Sequence, residues 1–150
     1  MRWEALSFSE LDTSTLYKMM ELRQEVFVVE QDCPYMDADG DDLFAIHLMG
    51  WKGEQLVAYL RMFEPSKKYV EASIGRVVTS PSVRGEGLGI DVMKRGIDYA
   101  HTNFVGTPIR ISAQTRLRRF YENLGFEVVG EGYLEDGIPH LPMVKQYAVQ

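Results

Sequence analysis

The sequence predicts a single α+β domain over residues 1–150, in which a mixed, largely antiparallel sheet of about seven strands carries helices on both faces. Three observations predict this fold. The 150 residues suffice for one domain with its own core. Apolar residues recur with strand and helix periods in the order β-α-β-β-β-α-β-α-β-β. Three consecutive strands precede a glycine-rich turn, whereas a doubly wound parallel sheet needs a helix between nearly every strand pair.

A strand and a helix begin the chain. Residues 2–8 alternate weakly between apolar and polar side chains, and Asp12 or Thr13 can cap the helix that follows. Apolar residues recur at helical spacing in that helix, at Leu16, Met19, Met20, Val26 and Phe27. Arg23 lies on the same stripe. Because a buried charge needs a partner, we expect it to pair with the acidic segment 30–42.

The middle of the chain predicts three strands. Two apolar runs, residues 44–51 and 56–63, flank a short polar segment with Gly53 and predict a β-hairpin. Residues 70–80 predict a longer strand, which the glycine-rich segment 81–89 ends.

Helices and strands alternate in the second half of the chain. The predicted elements are a helix over 89–104, a strand over 108–112, a helix over 115–126, and strands over 126–133 and 140–149. The inner faces of the two helices are predicted at Gly89, Met93, Ile97, Ala100 and Phe104, and at Leu117, Phe120, Tyr121 and Leu124. Gly125 is expected to end the second helix.

The composition and charge of the chain limit the partners and the cellular compartment that we expect for it. The net charge of −6 and the pI near 5.1 argue against nucleic acid as the main partner. No apolar run approaches the ~20 residues that span a bilayer, and the N-terminus lacks the apolar segment of a signal peptide. Cys33 is the one cysteine, which suits a reducing compartment. We therefore expect a cytoplasmic protein without a membrane partner. The sequence leaves the oligomeric state open, a homodimer included.

The turn after the third central strand carries the strongest chemical signal. Pro81 turns the chain, and Arg84-Gly85-Glu86-Gly87-Leu88-Gly89 opens a helix. Glycines let backbone N–H groups point into one concavity, and the helix N-terminus adds partial positive charge, which suits a pyrophosphate. The spacing fits neither a dinucleotide fingerprint nor a P-loop. It is R-x-x-G-x-G.

A second motif follows this turn by about thirty residues, where residues 120–126 read F-Y-x-x-x-G-F within a predicted helix. The two motifs in this order resemble the GNAT superfamily of acyl-CoA-dependent N-acetyltransferases, and the resemblance spans nearly the whole chain. Three stretches are similar in particular to the ElaA-like branch of small bacterial members: LRQEVFVVEQDCPYMDADGDD, IGRVVTSPSVRGEGLG and EDGIPH.

The resemblance implies the GNAT fold and acetyl-CoA as co-substrate, with no metal. It assigns coenzyme contacts to Val77, Val78, Thr79, Arg84, Gly85, Glu86, Gly87, Leu88, Gly89, Ile90 and Gln114. In the family the strand of the first three splays from its neighbour, and its N–H groups face the thioester oxygen. Glu86 departs from the basic or neutral residue of many relatives, so we expect its side chain to point to solvent.

The implied reaction is direct attack of a primary amine on the thioester in a ternary complex. Tyr121 is the candidate acid for the leaving thiolate. It also lies on the apolar face of its helix, and a tyrosine can bury its ring while presenting its hydroxyl. The acceptor side is assigned to Glu30, Tyr35, Asp37, His47 and His140. The general base stays open between a water chain and one of the side chains of Glu71, Glu30, His47 and His140.

The acidic segment 30–42 has three interpretations. A calcium loop fails on spacing, because Gly40 stands at the fourth position and Leu48 at the twelfth. The carboxylates can instead pair with Arg23 and attract a cationic amine to the cleft, or form a solvated turn.

Two classes of function therefore remain. The leading one is an N-acetyltransferase that acts on a small-molecule or peptide amine. The alternative is an acyl-CoA-binding sensor or scaffold without efficient catalysis. Tyr121 favours the enzyme, because a protein that only binds needs no acid there.

Overall fold

The computed structural model describes residues 1–147, which form an eight-stranded sheet in the order β1-β2-β3-β4-β5-β8-β6, with β7 also paired to β8. The strands are β1 Arg2–Ser7, β2 Ile46–Lys52, β3 Gln55–Phe63, β4 Ala72–Thr79, β5 Ile109–Gln114, β6 Glu127–Val128, β7 Tyr133–Glu135 and β8 Ile138–Lys145. Neighbouring strands are antiparallel except β4 and β5, which are parallel. The mixed, largely antiparallel α+β fold is confirmed.

The sheet has one strand more than expected, because residues 126–133 do not form one strand. They divide into β6 and β7, separated by a stretch with Gly130 and Gly132, and glycine weakens a strand interior. A Cβ at Gly132 would lie 3.3 Å from the backbone oxygen of His140, so the chain passes close to β8 here. The last strand ends at Lys145, and the end of its expected range, residues 148–149, lies outside the described part of the chain.

The main helices are α1 Thr13–Arg23, α2 Leu88–Asn103 and α3 Arg118–Glu122. Asp12 caps α1 as expected, since its carboxylate accepts from the Thr15 N–H at 2.7 Å. The chain does not continue as an α-helix to Phe27 but winds as a π-helix over Gln24–Glu30, a form often found at functional sites. No helix within residues 1–147 is long and apolar enough to cross a membrane.

The helix predicted over residues 115–126 is shorter than expected. A 3₁₀ turn, Thr115–Leu117, precedes α3. The end is as predicted: Gly125 has φ +96°, its N–H donates to the Glu122 carbonyl, and the Phe126 N–H donates to the Tyr121 carbonyl at 3.1 Å. These two bonds make a Schellman motif, which stops the helix and sends the chain toward β6.

Helices cover both faces of the sheet, and successive side chains of β3 point alternately to one face and the other. Leu60 packs in the core under α2, whereas Tyr59 packs in the core under α1. Gly96, which weakens α2 as a helix former, lets α2 approach β3 closely, since a Cβ there would lie 2.9 Å from Leu60 Cδ2. The third helix adds Tyr121 to the α2 side of the core.

Candidate active site

The candidate active site is a cleft of about 490 Å³ between β4 and β5. The two strands pair at Ala72 with Ile109 and at Ser73 with Arg110, and they separate beyond these positions. Separation leaves backbone N–H and C=O groups of the facing edges free for a ligand. The splay that the resemblance implied is confirmed, and Val77–Thr79 line the cleft.

A bulge shapes the β4 edge of the cleft. The register of β3 against β4 shifts between Tyr59 and Arg61. Two residues of β4, Arg76 and Val77, therefore stand opposite Leu60 alone. Arg76 has φ +53°, a left-handed conformation that costs a residue with a side chain on the order of 1–3 kcal/mol. Sequence reasoning missed Arg76, although an arginine within the apolar strand IGRVV was a signal.

The glycine turn has the backbone that an anion site requires. Gly85 and Gly87 have φ of +85° and +79°, and a Cβ at either position would meet no atom within 4 Å. The Asp91 N–H makes the bond to the Gly87 carbonyl at 3.2 Å, so the preceding N–H groups of α2 have no partner within the helix. The Leu88 side chain is buried and the Ile90 side chain is exposed. Each residue can therefore contact a ligand at the turn through its backbone N–H. The turn therefore fits a pyrophosphate.

The charged side chains of the turn have partners. The Glu86 side chain is about half exposed, as expected, and accepts from Lys52 Nζ at 2.7 Å. Arg84 binds both carboxylate oxygens of Glu30 at 2.6 and 2.7 Å. This hydrogen bonding holds the pKa of Glu30 below its usual range. Glu30 therefore meets the coenzyme turn instead of standing free at the acceptor side. The coenzyme contact assigned to the Arg84 side chain stays a prediction.

Tyr121 of α3 lies at the cleft with its ring buried. The ring packs edge-to-face on Phe120 and Phe126, with centroids 5.1 and 6.1 Å away. Its hydroxyl makes no hydrogen bond to residues 1–147. Burial raises the pKa of Tyr121 to about 12, so the hydroxyl keeps its proton at neutral pH. The residue therefore belongs to the core and also lines the cleft, and its role as the acid stays a prediction.

Gln114 lines the cleft at the end of β5. Its amide nitrogen donates to Gln31 Oε1 at 3.3 Å, and its oxygen accepts from Arg116 Nε at 3.1 Å. The side chain thus links the end of the π-helix to the approach to α3, and its contact with the coenzyme stays a prediction.

Three buried or half-buried arginines neutralise the acidic segment. The ion pairs of this arginine–aspartate cluster are Arg23–Asp37 (2.8 Å), Arg23–Asp42 (2.7 Å), Arg61–Asp39 (2.6 Å), Arg61–Asp42 (2.9 Å), Arg76–Asp37 (2.8 Å) and Arg76–Asp39 (3.4 Å). The expected partner of Arg23 is confirmed. Asp41 pairs instead with Lys68 at the surface. Within residues 1–147, no three His, Cys, Asp or Glu side chains are grouped so as to hold a metal ion.

Two residues assigned to the acceptor side, Asp37 and His47, lie outside the cleft. Asp37 is buried and both its carboxylate oxygens accept from arginines. His47 is fully buried: Nε2 donates to the Asp42 carbonyl at 2.9 Å, and Nδ1 accepts from the Tyr59 hydroxyl at 2.7 Å. Burial lowers the pKa of His47. The polar side-chain atoms of both residues are therefore satisfied within the fold, and neither side chain faces the cleft.

Tyr35 and His140, which were also assigned to the acceptor side, do line the cleft. The Tyr35 hydroxyl donates to Asp37 Oδ1 at 2.9 Å, so the arginine–aspartate cluster fixes the ring beside the cleft. Cys33 also lines the cleft, and its thiol donates to the Asp136 carbonyl at 3.4 Å. This contact joins the acidic segment to the β7–β8 turn and supports the structural role predicted for the cysteine.

A splayed strand pair beside an open glycine turn, in an eight-stranded mixed sheet, defines the class of acyl-CoA N-acyltransferases. The chain belongs to the GNAT acetyltransferase family, because the family model described as "Acetyltransferase (GNAT) domain" matches residues 10–147. It is 42% identical to Protein ElaA of Escherichia coli over 97% of each chain.

Solved structures give the same class. A crystal structure of an acyl-CoA N-acyltransferase from Pseudomonas aeruginosa superposes with a TM-score of 0.91 and 43% identity, and covers 97% of this chain and 99% of that one. Escherichia coli ElaA superposes with a TM-score of 0.90 and 41% identity over the same shares of the two chains. The predicted resemblance, including its ElaA-like branch, is confirmed.

Proposed function

We propose that this protein transfers the acetyl group of acetyl-CoA to a primary amine by direct attack within a ternary complex. The observation that carries the proposal is the continuous cleft between β4 and β5. It is lined by Arg84 and Gly89 of the glycine turn, by Tyr121, and by Tyr35 and His140. One ligand arm and one small acceptor can therefore meet inside it.

The β4 edge and the glycine turn suit the coenzyme. The pyrophosphate would bind the free N–H groups at the start of α2, where the helix dipole favours negative charge. The pantetheine arm would form hydrogen bonds with the free edge of β4. The name of the Pseudomonas aeruginosa relative, an acyl-CoA N-acyltransferase, supports acyl-CoA as the donor here.

The chemistry follows from two features of the cleft. Backbone N–H groups beyond the bulge, at Val77 and Val78, can face the thioester oxygen and stabilise the negative charge that develops on it. The Tyr121 hydroxyl can then give its proton to the leaving sulfur. Because the raised pKa of Tyr121 makes it a weak acid, positioning beside the sulfur has to supply the advantage.

The partners and location belong to the same proposal. The acceptor is a small-molecule or peptide amine, and the net charge of −6 supports a protein that does not bind nucleic acid. The single cysteine supports a cytoplasmic location.

Calorimetry with acetyl-CoA and a thiol-release assay over an amine panel test the proposal. The panel contains spermidine, L-lysine, an aminoglycoside and a peptide with a free N-terminus. We expect acetyl-CoA to bind and at least one amine to release CoA thiol with formation of the acetylated product. Binding without turnover on any amine would favour the sensor or scaffold, and absence of binding would reject both.

A further inference from the structure

The sequence left four side chains as candidates for the group that deprotonates the acceptor amine, and their surroundings differ sharply. Glu30 is held by Arg84, and Glu71 lies 3.5 Å from Arg110 Nη1. Both nitrogens of His47 are occupied within the core. Glu30 and His140 both line the cleft, but only His140 keeps an atom that can accept a proton, its second ring nitrogen, free of any hydrogen bond to residues 1–147.

The tautomer of His140 follows from its hydrogen bond. Its Nδ1 lies 2.7 Å from the carbonyl oxygen of Ile138, two residues earlier in β8. A carbonyl oxygen only accepts hydrogen bonds, so Nδ1 carries the proton and donates it. In the neutral ring the lone pair is therefore on Nε2.

Glu135 approaches that lone pair. Its Oε2 lies 3.4 Å from His140 Nε2, a longer contact than an ordinary hydrogen bond. A carboxylate beside a bare lone pair is unfavourable, whereas the same carboxylate beside an N–H of an imidazolium is favourable. The Tyr133 ring stacks on the imidazole with centroids 6.2 Å apart and planes at 17°, which holds the ring in its orientation.

Other titratable groups surround this end of the cleft. The side chains that contact His140 or line the cleft near the β7–β8 turn, the β4 bulge and the end of β5 are Glu135, Tyr133, Asp136, Cys33, Tyr35, Arg76 and Arg116. Arg76 is paired with Asp37, so its charge is offset. The carboxylate of Glu135 is thus the charged group in direct contact with the ring.

We propose that His140 is the general base of the transfer and that Glu135 is a positioning residue that stabilises its protonated ring. This inference rests on the proposed function. It goes further, because it assigns the proton of the acceptor amine to one atom, His140 Nε2.

Every proton and bond of the transfer is accounted for by the acceptor, the thioester, His140, Tyr121 and water. Nε2 accepts one proton from the ammonium form of the acceptor, and the neutral nitrogen forms the C–N bond to the acetyl carbon. The C–S bond breaks and the sulfur takes the Tyr121 hydroxyl proton. The second proton lost by the nitrogen restores Tyr121 through solvent, and His140 returns its proton to water. One proton is released for each amide formed.

Two variants at one position separate catalysis from structure. In His140→Asn the amide nitrogen can replace Nδ1 as donor to the Ile138 carbonyl, while no base remains. In His140→Gln the amide reaches the place of Nε2, and the bond to Ile138 is lost. We expect His140→Asn to keep its melting temperature and its affinity for acetyl-CoA, and to lose roughly 10²–10⁴-fold in kcat with the best amine of the panel.

The split between kcat and KM tests Glu135. In Glu135→Gln a neutral amide stabilises the imidazolium less than a carboxylate does, so kcat should fall while the KM of the amine and the melting temperature stay near the wild-type values. A purely structural Glu135 would lower the melting temperature and leave the kcat of the folded protein unchanged. The proposal is overturned if His140→Asn retains kcat within threefold of the wild-type value at pH 7.

Nitrogen-15 NMR of the three histidines determines which ring nitrogen of His140 carries the proton, and it needs no acceptor amine. The signals that disappear in His140→Asn belong to His140, and at pH 8 they should report a protonated Nδ1 and a bare Nε2. The opposite tautomer overturns the proposal. If acetyl-CoA binds but no amine is acetylated, the proposed function fails, while the NMR result still decides the state of His140.

Discussion

Replacing Asp37 by Asn should destabilise the fold far more than its position in an acidic loop suggests. Asp37 is 4% exposed, and its carboxylate accepts from Arg23 Nε and Arg76 Nε, each at 2.8 Å, and from the Tyr35 hydroxyl at 2.9 Å. Asparagine keeps the shape but removes the charge that compensates the arginines.

The loss of stability in Asp37→Asn depends on which carboxylates still compensate the arginines. Removing one partner of a buried ion pair costs about 3–5 kcal/mol, because the other charge is left without compensation. Arg23 retains Asp42, so we place the loss at the lower end, about 3 kcal/mol. In a domain of this size about 3 kcal/mol corresponds to a fall in melting temperature of roughly 6–12 °C.

Asp41→Asn is the matched control. It removes the same charge from the same segment, but Asp41 pairs with Lys68 at a partly exposed site. Such a pair is worth about 0–1 kcal/mol. Urea and thermal unfolding of the two variants therefore give the comparison, and equal losses of stability would refute the structural role of the arginine–aspartate cluster.

The same variant tests the function of the segment. Asp37 lies outside the cleft, so its charge should not attract the acceptor directly. It does hold Arg76 at the bulge, next to the N–H groups of Val77 and Val78 that we propose face the thioester. We therefore expect Asp37→Asn to lower kcat more than it raises the KM of the amine. The opposite split would restore the acceptor-binding role first assigned to Asp37.

Three further predictions follow from single features of the structure. Gly87→Val should weaken acetyl-CoA binding measured by calorimetry, while Gly106→Val, at a nearly equal φ of +78° and with equally open space, should lose similar stability but bind normally. Tyr121→Phe should keep the fold and the affinity for acetyl-CoA and lower kcat roughly 10²–10⁴-fold, and wild-type turnover would leave the ring as core alone. Burial favours protonation of Asp39 and Asp42, but hydrogen bonds from Arg61 and Arg23 outweigh it and hold the pKa of each below the usual 3.8. The stability that these two carboxylates add is fully present above pH 3.8, their pKa in the unfolded chain, and is lost as pH falls through their lower pKa in the folded protein. The melting temperature should therefore fall steeply below about pH 4.

The order of elements could be read from the chain because it depends on local patterns. Apolar periods of two and of 3.6 residues mark strands and helices wherever one face is buried. The stop at Gly125 and the cap at Asp12 were equally local, since each involves groups no more than five residues apart. The π-helical turn was missed, because a change of winding after Arg23 leaves the apolar stripe nearly intact.

The glycine turn was also a property of the sequence. Its N–H groups belong to consecutive residues, so the spacing of Arg84, Gly87 and Gly89 was enough to predict an anion site. The partner of Arg23 followed from a simple rule as well: a charge on a buried stripe needs a counter-charge, and the acidic segment was near.

Only the tertiary structure decided which candidate side chains meet in the cleft. His47 and His140 are indistinguishable by residue type, and the sheet register buries one beside Tyr59 and aims the other at the cleft beside Glu135. Such contacts join strands far apart in the chain, and shifting a strand by one residue would reverse which side chains face the ligand. The sequence determined the elements and the anion turn because these are local, whereas the charges and proton carriers were placed by long-range packing.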